Sequence, residues 1–260
     1  MRVEQLGEGE PELAVVGAIH GDEPCGSHAV TKILDEQPAV ERPVKFVVAN
    51  ERALERGVRY TDADLNRVFP GDPDSEDYER RLAHDLMQEL RGCTTLSIHS
   101  TQSYDRPFAI VNDADPLIES VCPYLSIDAV VEAGGFTEGR LIEYADVVEV
   151  EAGEQGSDSA KEYAEVLVRE FLGATGALPG RERHTDELPV YRLERLIPKR
   201  PAKSYDVRVA NFERVAPGAT FATAGDDELV AQEPFYPVLM SSYGYENEFG
   251  YAAELTRTLG

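Results

Sequence analysis

The stretch AVVGAIHGDEPCG, residues 14–26, ends an apolar run with a histidine, a glycine, two acids and a proline. His20 and Glu23 stand three residues apart in it. A hydrophobic core has no use for such a pair at the end of a buried strand, whereas a metal ion does. Zinc takes imidazole nitrogen at ~2.0–2.1 Å and carboxylate oxygen at ~2.0–2.2 Å, and its catalytic sites use three protein ligands and leave a position for water. A pair spaced i, i+3 at a strand-to-helix turn can converge on one ion. The chain has five histidines. His99 closes TTLSIHS and precedes small polar residues, so it is expected at the same sheet edge as His20. His28 and His84 fall inside amphipathic helical patterns and read as helix-surface residues, and His184 falls in a linker. Such a pair and a lone strand-end histidine also occur in ordinary folds, so the remaining motifs must decide.

Residues 49–71, ANERALERGVRYTDADLNRVFPG, form a polar stretch between a strand and the next helix. It is longer than most connections, which favours a functional loop. Asn50, Arg59, Asn66 and Arg67 lie in it. Asn66 and Arg67 are flanked by Leu65, Val68 and Phe69, an arrangement of polar heads held against apolar walls. An arginine offers a planar fork that suits a carboxylate.

These residues need a scaffold. LAVVGAI (13–19), VKFVVAN (44–50), TLSIHS (95–100), PFAIV (107–111) and DVVEVEA (146–152) read as strands, most of them buried on both faces. Helical patterns alternate with them: PCGSHAVTKILDE, residues 74–92 and residues 157–176. In the second, Tyr78, Leu82, Leu86, Met87 and Leu90 line one face, Asp74 or Ser75 is the expected cap, and Gly92 ends the helix. In the third, Tyr163, Val166, Leu167 and Phe171 form the stripe. The alternation predicts an α/β sheet covered by helices on both sides. After Gly176 the segment ALPGRERHTDELP marks a boundary. Short strands follow, and a helix is expected only in the last ten residues. The domains expected are a catalytic α/β domain, 1–184, and a β-rich module, 185–260, that caps the cleft.

With 260 residues, one or two domains are expected at roughly 150 residues each. No run approaches the ~20 apolar residues of a membrane span, and the first residues carry no apolar signal region. A soluble cytoplasmic protein is expected. Cys25, Cys93 and Cys122 fit neither a disulfide framework nor a metal-binding pair, and are expected to be reduced. The net charge is −24, from 49 acids against 25 bases, and only 5 of those bases are lysine. That balance argues against nucleic acid as a partner. Acids spread along the chain with scarce lysine look like a halophile protein, because at ~1 M salt the Debye length falls to ~3 Å and self-repulsion is screened. On that reading the melting temperature should rise between ~0.1 M and ~2 M KCl by more than low-salt screening gives. An unchanged value across the range removes the halophile reading.

GAIHGDEPCG, VVANERALERGVRYTDADLNRVFPG, LSIHS and VEAGEQGS occur in the order found in the succinylglutamate desuccinylase/aspartoacylase family, which the chain resembles. That family is related to the zinc carboxypeptidases. The resemblance covers residues 12–157 and continues through PGATFAT and YPVLMSSYGY. It implies a mixed sheet flanked by helices and one zinc ion per chain, with His20, Glu23 and His99 as its ligands. Glu151 matches the glutamate that acts on the attacking water, with Glu149 its rival two residues earlier. Arg59 matches the arginine that polarises the scissile carbonyl. Asn66 and Arg67 match the pair that clasps the substrate α-carboxylate, and Asn50 lines the same pocket. Tyr245 matches a C-terminal tyrosine reaching into the site, with Tyr243 as alternative. Arg140 corresponds, after a one-residue shift, to an arginine that binds the acyl or side-chain carboxylate. The function implied is hydrolysis of a small N-acyl amino acid, N-acetylaspartate- or N-succinylglutamate-like, to a carboxylate and a free amino acid. A peptide-cleaving metallocarboxypeptidase shares the zinc site, and a non-enzymatic binding protein is a third reading that the intact ligand set argues against. No membrane partner is expected, and room is left for a homo-oligomer.

Overall fold

Runs of Val, Ile, Leu and Ala form strands because branched side chains pack well on a pleated surface. In the computed structural model, which describes residues 1–113, 116–180, 183 and 187–259, they build a ten-stranded mixed sheet. His184 and the expected boundary at 184/185 lie outside the described residues. The strands up to residue 154 are β1 (Arg2–Leu6), β2 (Leu13–Gly17), β3 (Val44–Val48), β4 (Thr94–Thr101), β5 (Phe108–Val111), β6 (Val130–Glu132) and β7 (Val147–Glu154). The second half supplies β8 (Leu188–Pro198), β9 (Tyr205–Val207), β10 (Thr220–Ala224), β11 (Asp227–Val230), β12 (Tyr236–Val238) and β13 (Glu248–Leu259). The large sheet runs β1-β3-β2-β4-β7-β5-β6-β8-β13-β12, and β9, β10 and β11 form a small sheet of their own.

The centre, β3-β2-β4-β7, is parallel. Chain order reverses around β2, which has β3 on one side and β4 on the other. Ligands in open α/β sheets bind beyond the carboxyl ends of the strands at such a reversal. His20 follows β2, and His99 lies near the end of β4.

α1 (Cys25–Glu36) and α6 (Asp158–Ala174) cover one face, where Ala29, Val30, Ile33, Leu167 and Phe171 pack on Leu96, Ile98, Val148 and Val150. α3 (Tyr78–Glu89) covers the other through Leu82, Ala83 and Leu86. α1 can start directly under the end of β2 because two glycines meet there. A Cβ on Gly17 would lie 2.4 Å from the carbonyl carbon of Gly26. The shorter helices are α2 (Glu51–Arg56), α4 (Leu117–Ser120) and α5 (Leu141–Tyr144).

Several expectations change. α3 begins at Tyr78, so neither Asp74 nor Ser75 caps it. Ser75 instead accepts from the Asp77 amide, in a local turn that competes with the helix. The Tyr78 amide finds its acceptor in Asp62, from the preceding loop. Val166 is 44% exposed, and Ala164 and Val168 take its place on the buried stripe of α6. Residues 251–259, where a helix is expected, are strand, because β8 offers a partner along almost the whole of β13. Tertiary pairing overrides the local preference of AAEL. β8, β13 and β12 extend the large sheet, while the small sheet packs on its own core of Ile197, Phe221, Phe235 and Phe249. All three cysteines are buried. Among the described residues, no helix is long and apolar enough to cross a membrane.

Candidate active site

Strand register fixes the first part of the site. Successive strand residues face opposite sides of a sheet, and paired residues on parallel strands share a side. His99 pairs with Glu151 and Ser97 with Glu149, so all four lie on one face. Val148 and Val150 are fully buried on the other face.

The turn after β2 brings the next two groups to the same place. His20 Nδ1 lies 2.8 Å from Glu23 Oε1, and His99 Nδ1 lies 3.1 Å from Glu23 Oε2. The candidate ligand atoms of His20, Glu23 and His99 all lie within 4.8 Å of one another, and the three side chains are buried. Burial would hold the His20 imidazole neutral, but Glu23 and Asp64 outweigh it and raise its pKa to about 9. A buried cluster that draws positive charge so strongly, with two imidazoles and a carboxylate as donors, could hold a divalent metal ion.

The outer nitrogens are held as well. His20 Nε2 lies 3.1 Å from Asp64 Oδ1, and His99 Nε2 lies 3.1 Å from Ser97 Oγ. Groups of this kind fix the ring orientation of a metal-binding histidine. Asp64 also accepts from Arg59 Nε at 2.9 Å and from the Asn66 amide at 3.0 Å. Arg59 donates in addition to Glu23 Oε1 at 3.1 Å. Asp64 therefore joins the candidate ligand His20 to Arg59 and to the Asn66–Arg67 pair. Sequence reasoning missed it. DADLNR offers two acids there, and only the fold turns one of them inward.

Glu151 and Glu149 both line the cavity over the strand ends, whose volume is about 360 Å3. They differ in their partners. Glu149 Oε1 accepts from Asn66 Nδ2 at 3.0 Å and lies 4.0 Å from His99 Nε2. Glu151 Oε2 is buried and has no hydrogen-bond partner among the described residues. Burial, with Glu23 and Glu149 nearby, pushes the Glu151 carboxyl up to about 7.

Arg67 and Arg140 line the same cavity. Arg140 is 8% exposed and donates to Tyr251 Oη at 3.3 Å. Burial, and the neighbouring Arg140, hold the Arg67 guanidinium below its usual pKa. Among the described residues, neither arginine has a carboxylate within ion-pair distance. The two are brought together at Gly139, where a Cβ would lie 2.3 Å from the Arg67 carbonyl oxygen. Asn66 is committed to the protein: Oδ1 accepts from the Leu141 amide at 2.9 Å and Nδ2 donates to Glu149.

Tyr245 lines the cavity, and burial raises its phenol pKa, with Glu151 adding to the effect. Tyr243 is 69% exposed and its oxygen accepts from the Tyr205 amide. Asn50 is not among the cavity-lining residues. It is fully buried, caps α2 by accepting from the Ala53 amide at 3.1 Å, and donates to Glu79 Oε1 at 3.1 Å. An asparagine directly before a helix is a preferred cap, and this one faces the helix. His28 is exposed and pairs with Glu165 at 2.7 Å.

Known proteins share this arrangement of elements. The structure of the ectoine utilization protein EutE (DoeB) from Ruegeria pomeroyi superposes with a TM-score of 0.79 at 20% identity, over 99% of this chain and 88% of that one. Murine aminoacylase 3 superposes with a TM-score of 0.74 at 22% identity, over 97% and 98% of the two chains. Mouse aspartoacylase is 34% identical over 109 residues, which are 39% of this chain and 34% of that protein. The sequence match thus spans about a third of the length of that curated relative. Residues 9–165, more than half of the chain, match the succinylglutamate desuccinylase/aspartoacylase catalytic domain. With the motifs in order and His20, Glu23 and His99 converging at the sheet's edge, the chain belongs to the succinylglutamate desuccinylase/aspartoacylase family.

Proposed function

We propose that this chain is a zinc-dependent amidohydrolase that cleaves the amide bond of a small N-acyl amino acid, releasing a carboxylate and a free amino acid. The observation that carries the reading is a pair of arginines, Arg67 and Arg140, without carboxylate partners among the described residues, in a cavity beside the His20, Glu23, His99 cluster. Arg140 is buried beside Arg67, and an anionic substrate supplies the counter-charge that neither arginine finds among the described residues. Zinc held by His20, Glu23 and His99 would supply a Lewis acid and a water whose pKa falls towards ~7.

The protein's own groups do the rest. Arg67 binds the α-carboxylate, with Asn66 setting the loop beneath it, and Arg140 takes a second anionic group of the acyl or side chain. Arg59, held by Asp64 and Glu23, donates to the carbonyl oxygen as negative charge develops on it. Glu151, whose Oε2 has no partner among the described residues, takes a proton from the attacking water and returns it to the leaving nitrogen. Tyr245 closes the site beside Glu151. Leu239, Tyr245 and Tyr251 line the cavity, which supports a β-rich module over 185–260 acting as a cap on a catalytic domain over 1–184. A capped cavity of about 360 Å3, with Leu239 its sole aliphatic lining residue among the described residues, suits a small polar ligand better than a long peptide. Polar, water-soluble N-acyl amino acids are in turn consistent with a cytoplasmic enzyme.

A panel of N-acyl amino acids, their α-amides and short peptides, assayed with added zinc, tests the reading. Turnover confined to the peptides would favour the metallocarboxypeptidase reading instead. Arg67→Lys should lower kcat/KM on N-acyl amino acids by about 10- to 100-fold, because a point charge cannot replace two parallel charged hydrogen bonds. The α-amides lack the charge and should lose much less. Equal losses on both would place Arg67 outside the carboxylate site.

A further inference from the structure

The amidohydrolase reading leaves Glu79 without a role. It lies in the first turn of α3 and is fully buried. No lysine, arginine or histidine lies within ion-pair distance of it among the described residues. A buried carboxylate of this kind is costly unless donors surround it. Five hydrogen bonds do so. Oε1 accepts from the Thr61 amide at 2.7 Å, Thr61 Oγ1 at 2.8 Å and Asn50 Nδ2 at 3.1 Å. Oε2 accepts from the Asp62 amide at 2.9 Å and the Ala63 amide at 3.2 Å. Burial alone would raise the Glu79 carboxyl, but these donors outweigh it and hold it at about 2.

Three successive amides aimed at one anion form a nest. This nest is part of the loop between α2 and the Leu65–Arg67 turn. Arg59 lies two residues before it, and Asp64, Asn66 and Arg67 follow it directly. The loop is bound to α3 a second time by the bond from the Tyr78 amide to Asp62. On the far side, the Gly21 amide donates to the Arg59 carbonyl at 3.2 Å, next to His20.

Building on the proposed function, we propose that Glu79 is a positioning residue. Its carboxylate fixes residues 61–63, and through them places Arg59 towards the scissile carbonyl and Arg67 towards the substrate carboxylate. Asn50 belongs to this anchor. It ties the start of α2 to the same carboxylate, which is why the fold turns it away from the cavity. A displacement of ~1 Å at such groups can cost ~10²-fold in rate.

Glu79→Gln tests the proposal. Both oxygens of the carboxylate accept, whereas an amide accepts on one side and presents N–H on the other. One half of the nest must therefore be lost. Thr61→Val is the milder companion, near in shape and lacking the hydroxyl donor alone. Zinc-loaded wild-type protein and both variants would be compared by elemental analysis, by hydrogen–deuterium exchange over residues 59–67, and by kinetics on the fastest N-acyl amino acid of the panel and its α-amide. In Glu79→Gln, zinc should stay at one per chain, and the amides of 61–63 should exchange at least about tenfold faster, as loss of a charged hydrogen bond gives. Its kcat/KM should fall by roughly 10- to 100-fold, with a larger loss on the acid than on the α-amide. Thr61→Val should move in the same directions by a few-fold, and it carries the test if Glu79→Gln does not fold. Unchanged exchange at 61–63, or kcat/KM within twofold of wild type, overturns the proposal. Equal losses on acid and amide with loss of zinc would mean general destabilisation and overturn it too. If wild type turns over no member of the panel, the amidohydrolase reading fails, and exchange alone then decides whether Glu79 holds the loop.

Discussion

Glu151→Gln is expected to keep its zinc and lose its turnover. The substitution preserves shape and removes the basic function. Glu151 is no candidate ligand: among the described residues the clustered donors are His20, Glu23 and His99, and its own Oε2 has no hydrogen-bond partner there. Metal content and folding should therefore survive, while kcat falls by at least ~10²-fold, within the range for a lost acid–base group. Binding should change less, because Arg67 and Arg140 remain. Glu149→Gln is the control. The Glu149 oxygen that accepts from Asn66 Nδ2 can be reproduced by an amide oxygen, so its effect should be small. Elemental analysis and steady-state kinetics on both variants decide the matter. If Glu149→Gln abolishes turnover and Glu151→Gln stays active, the roles of the two are exchanged.

The parallel centre of the sheet was legible because its strands are buried on both faces and read as unbroken apolar runs. The motif residues at their ends were legible for a related reason: polar groups that close a buried strand have no packing role to explain them. His20, Glu23 and His99 converge as that argument expects. What stayed hidden depends on partners distant in sequence. Asn50 reads as a pocket residue until Glu79, 29 positions later, is seen to accept from it. Tyr245 is the match and Tyr243 its alternative two positions away, and the path of the loop before β13 sends Tyr245 to the cavity and Tyr243 to the surface. A helix is expected in the last ten residues, and β8 decides against it over 251–259. The starting point of α3 was hidden too, because its acceptor, Asp62, comes from the preceding loop rather than from the residue before the helix.

His20→Ala and His99→Ala should each remove both the metal and the activity. The two imidazoles approach Glu23 from different elements, His20 from the turn after β2 and His99 from β4, and each meets a separate carboxylate oxygen. Deleting either leaves one imidazole and one carboxylate, short of the three protein ligands that catalytic zinc uses. The remaining pair must also compete with Arg59, which already donates to Glu23 Oε1. In the His20 variant Asp64 loses its contact with the cluster and keeps only those with Arg59 and the Asn66 amide. The loop would then persist while the metal leaves, so the fold and the ion separate experimentally. Zinc per chain after gel filtration should fall from one to well below it, and turnover to background. His28→Ala should do neither, since His28 is exposed and paired with Glu165, away from the cluster. Stoichiometric zinc retained in either ligand variant would mean that the ion sits elsewhere, and that the buried His20, Glu23, His99 cluster has a structural task instead.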